Sequence, residues 1–212
     1  MTTNGCNYSP TQYATQVGGA SGTLTSLAIG SANQLLISNG ASANPTFQTN
    51  TNCWTLLSTQ NPSNAATVDF TSLISSTYIN YVLVIDNLVS GAVSPILEMV
   101  ISTDNGAHWL GASYLSGAWY VPYNSASFGT NNNTTSCFYL ESTTNSAYTN
   151  SGVVWLYGFG VSGYPAIEAQ WQMGNNWSWA TGFNGALGTY NAIRLHMGNI
   201  SSGTFSLYGV SK

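Results

Sequence analysis

The stretch AIRLHM at 192–197 and the stretch TFSLY at 204–208 decide the fold of this chain. In the first stretch, Ile193, Leu195 and Met197 alternate with polar residues, and the second stretch alternates in the same way. Successive side chains of a β-strand point to opposite faces, so each stretch predicts a strand with one apolar face and one polar face. Half-buried strands of this kind are typical of antiparallel sheets.

Similar short runs rich in Val, Ile, Tyr, Phe and Trp recur from residue 54 onward, separated by clusters of Gly, Asn and Ser. They predict an all-β chain, with a jelly-roll-like antiparallel β-sandwich over residues 51–212. Thr71–Thr77 is the exception, because its apolar spacing predicts one helical turn. The predicted strands are Trp54–Ser58, Ala66–Phe70, Tyr78–Leu88, Ile96–Ser102, Trp119–Tyr123, Ser136–Glu141, Gly152–Phe159, Ala166–Met173, Ser178–Phe183, Ala192–Met197 and Thr204–Tyr208.

Residues 1–50 differ from the rest of the chain. They contain no Trp and no charged residue, and their apolar residues, such as Leu24, Leu27 and Ile29, are thinly spaced. Such a segment buries too little apolar surface to fold stably by itself. We therefore expect an extended N-terminal arm that anchors the chain, either to other copies of itself or to other proteins of a larger particle.

Charge is scarce in this chain of 212 residues, of which only 4% are charged. Arg194 is the one fixed cation before the terminal Lys212, and this excludes nucleic-acid binding and phosphate-handling chemistry, which need several basic side chains. Ser, Thr and Asn make up more than a third of the residues and supply the polar surface instead. A neutral surface repels its own copies weakly, so this composition favours assembly.

The sequence predicts neither membrane insertion nor a disulfide framework. Its longest apolar runs are five residues, far short of the roughly 20 that a transmembrane helix needs, and the first 30 residues lack the pattern of a secretory signal. The three cysteines, Cys6, Cys53 and Cys137, are far apart, which favours free thiols in a reducing cytoplasm. A bridge between Cys53 and Cys137 is the alternative.

The segment Ser102–Trp109 reads STDNGAHW and is the sharpest local motif. Asn105 and Gly106 form a preferred two-residue turn, because both positions tolerate positive φ. The Asp104 carboxylate can accept hydrogen bonds from the backbone N–H groups of this turn, and Trp109 can fold back over it. The segment therefore predicts a locked structural hairpin.

This segment resembles the Asp-box of sialidase propellers, S-x-D-x-G-x-T-W, with His108 in the place of the Thr. In those families the motif is structural and not catalytic. Sialidases repeat the motif once per blade and need a cluster of arginines. One copy and one internal Arg therefore exclude sialidase activity here.

A second cluster is aromatic and allows two interpretations. Trp177 and Trp179 are two residues apart and share one strand face, while Trp171 alternates with Gln170 and Gln172. The three Trp side chains belong either to a core or subunit interface, or to an exposed platform on which a sugar ring stacks. The candidate glycan-binding set is Trp171, Gln172, Asn175, Asn176, Trp177 and Trp179.

Catalytic and metal sites find little support in the sequence. No G-x-S-x-G elbow surrounds any Ser, and the carboxylates Glu98 and Glu168 each lie between apolar residues of a strand, facing away from the core. His108 and His196 lack the ligand spacing of a zinc site. We therefore expect no catalytic residue, metal or cofactor, with a calcium site at Asp104 or Asp86 as the open alternative.

Three segments of the chain resemble tailed-bacteriophage virion proteins. Residues 22–40, with 44–47, look like the G-x-L-x-x-L-x-I-G-x-x-N-Q-x-L-x-x-N-G…P-x-F segments of phage fibre and structural proteins. The block from Trp54 to Trp109 is similar to a β-sandwich domain of phage virion proteins. The closing stretch, residues 199–210, resembles the S-G-x-F/I-x-L-Y-G-I ending of the same domains.

The resemblance implies a trimeric, jelly-roll-like protein of the virion surface, made in the host cytoplasm. In the first hypothesis it is a fibre-like or receptor-binding protein, whose domain at 51–212 touches host glycan. In the second it is a capsid decoration protein, either cement or head fibre, anchored by residues 1–50. A glycan depolymerase is a third and weaker hypothesis, because the chain lacks a convincing carboxylate pair.

Overall fold

The computed structural model of the chain describes residues 15–18, 24–32, 34–49, 53–92, 96–123, 129–133, 136–140, 148–173 and 176–211. All regular secondary structure in these ranges is β-strand, which confirms the predicted all-β class. The chain divides into two compact units, Met1–Asn52 and Cys53–Lys212. The described ranges hold no helix with the length and apolar character needed to cross a membrane.

The first unit contains two short antiparallel strand pairs, so its described part is not a purely extended arm. β1 pairs with β2 and β3 pairs with β4. The apolar side chains stay largely outside, with Leu24 60% and Leu35 50% exposed. These pairs therefore bury little apolar surface. The strands are β1 (Gln16–Gly18), β2 (Leu24–Ser26), β3 (Gln34–Ile37) and β4 (Thr46–Thr49).

Polar residues between Ser31 and Asn44 close the turns of the β3–β4 pair. The backbone N–H of Ser31 donates to Gln34 Oε1 at 2.8 Å, and Asn39 Nδ2 donates to the carbonyl oxygen of Asn44 at 2.7 Å. Gly40 has a φ of +91°, which a residue with a Cβ adopts only at a cost. The Gln, Asn and Gly of the motif thus shape the two ends of the β3–β4 pair.

The described part of the second unit contains thirteen strands, and every pairing among them is antiparallel. They are β5 (Trp54–Gln60), β6 (Ala65–Phe70), β7 (Asn80–Ser90), β8 (Glu98–Ser102), β9 (Tyr114–Pro122), β10 (Gly129–Asn133), β11 (Phe138–Tyr139), β12 (Asn150–Tyr157), β13 (Ser162–Gly163), β14 (Ala166–Met173), β15 (Asn176–Asn184), β16 (Gly188–Thr189) and β17 (Ala192–Val210). β13 and β16 form a separate small pair, and the other eleven strands form one large sheet.

The central element is β17, which the sequence predicted as two separate strands. Its first half pairs with β6 on one edge and β8 on the other, and its second half pairs with β5 and β7 in the same way. The register shifts between these halves, where Gly198 and Gly203 have φ values of +84° and +152°. Bulges of this kind let one strand turn a corner and serve two layers.

The bend in β17 divides the large sheet into two layers. The first half of β17 lies with β6, β8 and β11, and the second half lies with β5, β7, β12, β14, β15, β9 and β10. β11 returns to β9, where Tyr139 N–H donates to Ser116 Oγ at 2.8 Å and the Tyr114 and Phe138 rings are 4.8 Å apart. The layers therefore nearly close, and the predicted antiparallel sandwich is confirmed.

The core lies between the two layers and follows the predicted alternation. Ile193 and Leu195 are fully buried, and so are Phe205 and Leu207 from the other half of the same strand. The intervening residues of β17 are half-buried and lie on its other face. Burial of large aliphatic and aromatic side chains on both halves of one strand ties the layers together.

Thr71–Thr77 contains no helix, so that prediction was wrong: Ser72 has a φ of +61°, and its N–H donates to Asn105 Oδ1 of a neighbouring loop instead of to a helical carbonyl. Cys53 is exposed and Cys137 is buried, and no disulfide joins them.

Candidate binding face

The outward surface of the larger layer, here called the outer face, carries most of the candidate residues. On β15, Trp177 and Trp179 are half-exposed, whereas Ser178 and Ala180 between and after them are buried. The two Trp rings lie on the same side, as their spacing predicted, with centroids 5.9 Å apart in an edge-to-face arrangement.

Trp171 does not join this platform, so its assignment to the exposed glycan-binding set was wrong. Its side chain is fully buried, because it lies opposite Ser178 on β15 and Gly152 on β12, both on the inward face. A Cβ on Gly152 would lie 2.4 Å from the indole, so the ring packs directly on the β12 backbone. The exposed residues on both sides, Gln170 and Gln172, are the signal that gives this orientation.

Two other members of the predicted set, Gln172 and Asn176, lie on opposite faces of the sheet. Gln172 is exposed and lies directly opposite Trp177 in the β14–β15 pair. Asn176 is half-buried and has the inward parity of Ser178, so it lies on the side away from Trp177. Asn175 lies outside the described residues. The structure therefore brings together Trp177, Trp179 and Gln172 from the predicted set.

A hollow of about 330 Å³ opens beside Trp177, here called the Trp177 hollow. It is shared by four neighbouring strands, β7, β12, β14 and β15. Its lining combines the Trp177 ring with aliphatic side chains and with the polar ends of several others. The lining residues are Val84, Ile85, Asp86, Ser151, Gly152, Val153, Gln170, Trp171, Gln172 and Trp177.

Asp86 holds the polar side of this hollow, and it was not among the predicted site residues. The β7–β12 register shifts between Asn150 and Gly152, and Asn87 in the partner strand has a φ of +51°. This irregularity lets Ser151 Oγ donate to Asp86 Oδ1 and Asn87 Nδ2 donate to Asp86 Oδ2, both at 2.8 Å. The Asp86 carboxylate is thus fixed in place, and each oxygen keeps a lone pair for a further donor.

Charge on the outer face is purely negative among the described residues. Every basic side chain in the described ranges faces a carboxylate elsewhere. Arg194 pairs with Asp69 at 2.6 Å, and the ion pairs of the two histidines are His108–Asp104 and His196–Glu98. Asp86 and Glu168 have no such partner in those ranges and are both exposed.

A second aromatic group lies at the other end of the outer face and is called the Trp54 cluster. The Trp54 ring is 5.4 Å from Trp155 and 5.9 Å from Tyr208, and Trp155 stacks on Tyr157 at 6.4 Å. Trp54 remains 39% exposed, and Leu56 beside it on β5 is 53% exposed. The cluster therefore presents a mainly apolar surface at an edge strand, and the Glu168 carboxylate lies opposite Trp155 in the β12–β14 pair.

The Asp-box-like segment forms a locked loop and not the predicted hairpin, because β8 and β9 on its two sides do not pair with each other. Asn105 and Gly106 have φ values of +62° and +89°. Asp104 Oδ1 accepts from the backbone N–H of His108 at 2.8 Å and from Ser102 Oγ at 2.7 Å. These hydrogen bonds hold the pKa of Asp104 well below its usual range.

This loop is joined to its surroundings through Asn105 and Trp109. Asn105 N–H donates to Asn191 Oδ1 at 2.8 Å, and its side-chain amide donates to Ser72 Oγ at 2.7 Å. The Arg194 guanidinium lies 4.6 Å from the centre of the Trp109 ring. Three loops at one end of the sandwich are thereby connected, which is a structural role for the motif.

No group of three or more His, Cys, Asp or Glu side chains in the described ranges could hold a metal ion. No family model matches the chain, and the search of curated proteins found no match. Among solved structures, a β-fructofuranosidase from Schwanniomyces occidentalis complexed with fructosyl-erythritol is similar over 84% of this chain and 39% of that one. The identity is 8% and the TM-score is 0.19, so this similarity carries no argument about fold or function.

Proposed function

We propose that this chain is a non-enzymatic structural protein of a tailed-phage virion, displayed on the particle surface as a homotrimer after assembly in the host cytoplasm. The observation that carries the proposal is the outer face, which exposes aromatic side chains without any basic group among the described residues. Large apolar surfaces of this kind mark sites of association. The phage-like segments at both ends of the chain support the same assignment.

Within this proposal the protein is fibre-like and contacts a host glycan through Trp177, Trp179 and Gln172. Binding sites for sugars combine aromatic surface with a few polar groups that fix orientation, and the Trp177 hollow has both. We expect the purified full chain to bind host cells, and the double variant Trp177→Ala, Trp179→Ala to lose binding. Tyr164→Ala removes a more exposed ring outside the hollow and serves as the control. Absence of cell binding at micromolar protein would reject receptor binding.

Capsid decoration is the second candidate. It is favoured by the division of the chain into Met1–Asn52 and Cys53–Lys212, because a separate first unit suits anchoring to other virion proteins. The number of copies in purified virions distinguishes the candidates. A decoration protein is present in hundreds of copies, as an icosahedral shell repeats its parts, whereas a fibre protein is present in a few tens at most. Absence from the virion would reject both.

A further inference from the structure

The Trp177 hollow has the size of a small-ligand site and an amphipathic lining. Its volume of about 330 Å³ lies at the lower end of the roughly 300–1,000 Å³ of such sites, which is room for one or two sugar rings. Trp177 supplies a flat apolar surface, and Gln170 and Gln172 supply amide donors and acceptors on the neighbouring strand. A pyranose ring has the matching form, with an apolar face and a rim of hydroxyl groups.

The charge of the hollow restricts which sugar can enter. Asp86 is held by Ser151 and Asn87, so its carboxylate cannot turn away from a ligand without breaking both hydrogen bonds. An ionised carboxylate accepts hydrogen bonds strongly from hydroxyl groups but repels another carboxylate. No cation pairs with Asp86 in the described ranges, since all three basic side chains there face other carboxylates.

We propose that the Trp177 hollow binds an uncharged hexopyranose, with the ring against Trp177 and neighbouring hydroxyl groups donating to Asp86, and that it excludes acidic sugars. This inference rests on the proposed glycan contact and adds the chemical class of the sugar. It assigns a specificity role to Asp86 and positioning roles to Ser151 and Asn87. Sialic acids and uronic acids are the sugars that it rejects.

The test uses matched neutral and acidic probes with the purified full chain. The neutral probes are the methyl glycosides of glucose, galactose, mannose and N-acetylglucosamine. The acidic probes are the methyl glycosides of glucuronic, galacturonic and N-acetylneuraminic acid. Titrations are followed by tryptophan fluorescence and by chemical shifts of the indole N–H groups. We expect at least one neutral probe to bind at millimolar concentration, and its acidic counterpart to bind at least tenfold more weakly.

Variants separate a specific site from surface stacking. Trp177→Ala should abolish binding, and Trp177→Phe, which keeps a smaller ring and the fold, should weaken it. Asp86→Asn should weaken the neutral probe about tenfold, since a hydrogen bond to a charged group is lost, and should narrow the gap between neutral and acidic probes. Tyr164→Ala should bind as the unchanged protein does.

The inference is overturned if no neutral probe binds, if an acidic probe binds as tightly as its neutral counterpart, or if Asp86→Asn leaves the preference unchanged. Its failure is distinct from failure of the proposed function, which is decided by the presence of the chain in purified virions. If the chain is present in virions but binds no neutral sugar, only this inference is rejected. If the chain binds a neutral sugar but is absent from virions, only the proposed function is rejected.

Discussion

Three buried polar atoms in the described ranges make no hydrogen bond: Asn150 Oδ1, Trp171 Nε1 and Ser178 Oγ. Two of them are neighbours, because Trp171 and Ser178 are register partners on the inward face. A buried polar group without a partner loses its hydration and gains nothing in return. These three unpaired groups therefore weaken the core.

Replacing Ser178 by Ala should raise the free energy of unfolding by about 1 kcal/mol, because it removes an unpaired hydroxyl and leaves the packing nearly unchanged. Ser90→Ala is the matched control. Ser90 is equally buried, but its hydroxyl donates to the Ala92 carbonyl and accepts from the Ala92 N–H. That variant should be about 1 kcal/mol less stable. Urea unfolding measures both, and a loss of stability in Ser178→Ala would contradict the prediction.

Gly106 is required where it stands. Its φ is +89°, and a Cβ there would lie 2.9 Å from Thr71 Cγ2 and 3.1 Å from the Trp109 ring. Gly106→Ala should therefore lower the free energy of unfolding by about 1–2 kcal/mol. Gly111 has open space around its Cα and no positive φ, so Gly111→Ala should be neutral. Equal stability of the two variants by thermal unfolding would argue against this role of Gly106.

For single residues, the sequence predicts the face of the sheet on which a side chain lies better than it predicts which residues lie beside that side chain. The exposed glutamines on each side of Trp171 are enough to turn its ring inward. The place of Asp86 could not be predicted, because it depends on a register shift between β7 and β12, whose paired residues lie more than 60 positions apart. Sequence spacing contains no information about such a shift.

Among the elements, the Asp104 loop gives a prediction that depends on pH. The hydrogen bonds to Asp104 lower its folded pKa below its unfolded value of about 3.9. Its contribution to stability is therefore complete above about pH 5 and declines as the pH falls toward the folded pKa. Asp104→Asn should have a lower Tm than the unchanged protein near pH 7, and the difference should narrow below about pH 4. If the difference in Tm stays constant down to pH 2, ionisation of the Asp104 carboxyl is not its cause.

β17 shows why a correct pattern can still give the wrong element. Both apolar stretches were predicted as strands, and both are strands. The link between them, rich in Gly, Asn and Ser, has the composition of a turn, and Gly198 and Gly203 do adopt positive φ. Composition does not distinguish a turn that ends a strand from a bulge that bends one, because both need the same backbone freedom.

For the whole molecule, the proposed trimer makes the Trp54 cluster the expected contact between copies. β5 pairs with β17 along one edge, and Leu56 on it is exposed beside the cluster. Leu56→Asp should convert the trimer into monomers, because a charge would be buried without a partner. Leu187→Asp, at an exposed leucine away from the cluster, should remain trimeric.

Light scattering measures the outcome directly. The unchanged protein and Leu187→Asp should have a mass about three times that of the 22.4 kDa chain, and Leu56→Asp should have the mass of one chain. A monomeric unchanged protein would exclude the trimer. If the Leu56→Asp variant is still a trimer, the copies contact each other through a surface other than the Trp54 cluster.

β17 is synthesised after four of the strands with which it pairs. It pairs with β5, β6, β7 and β8. Neither layer can therefore close until residues 192–210 have been synthesised. Contacts between residues so distant in the chain form slowly, and unpaired strands are prone to aggregation while they wait. The core of the domain therefore stays open until β17 has been synthesised, and conditions that slow translation should reduce the soluble yield.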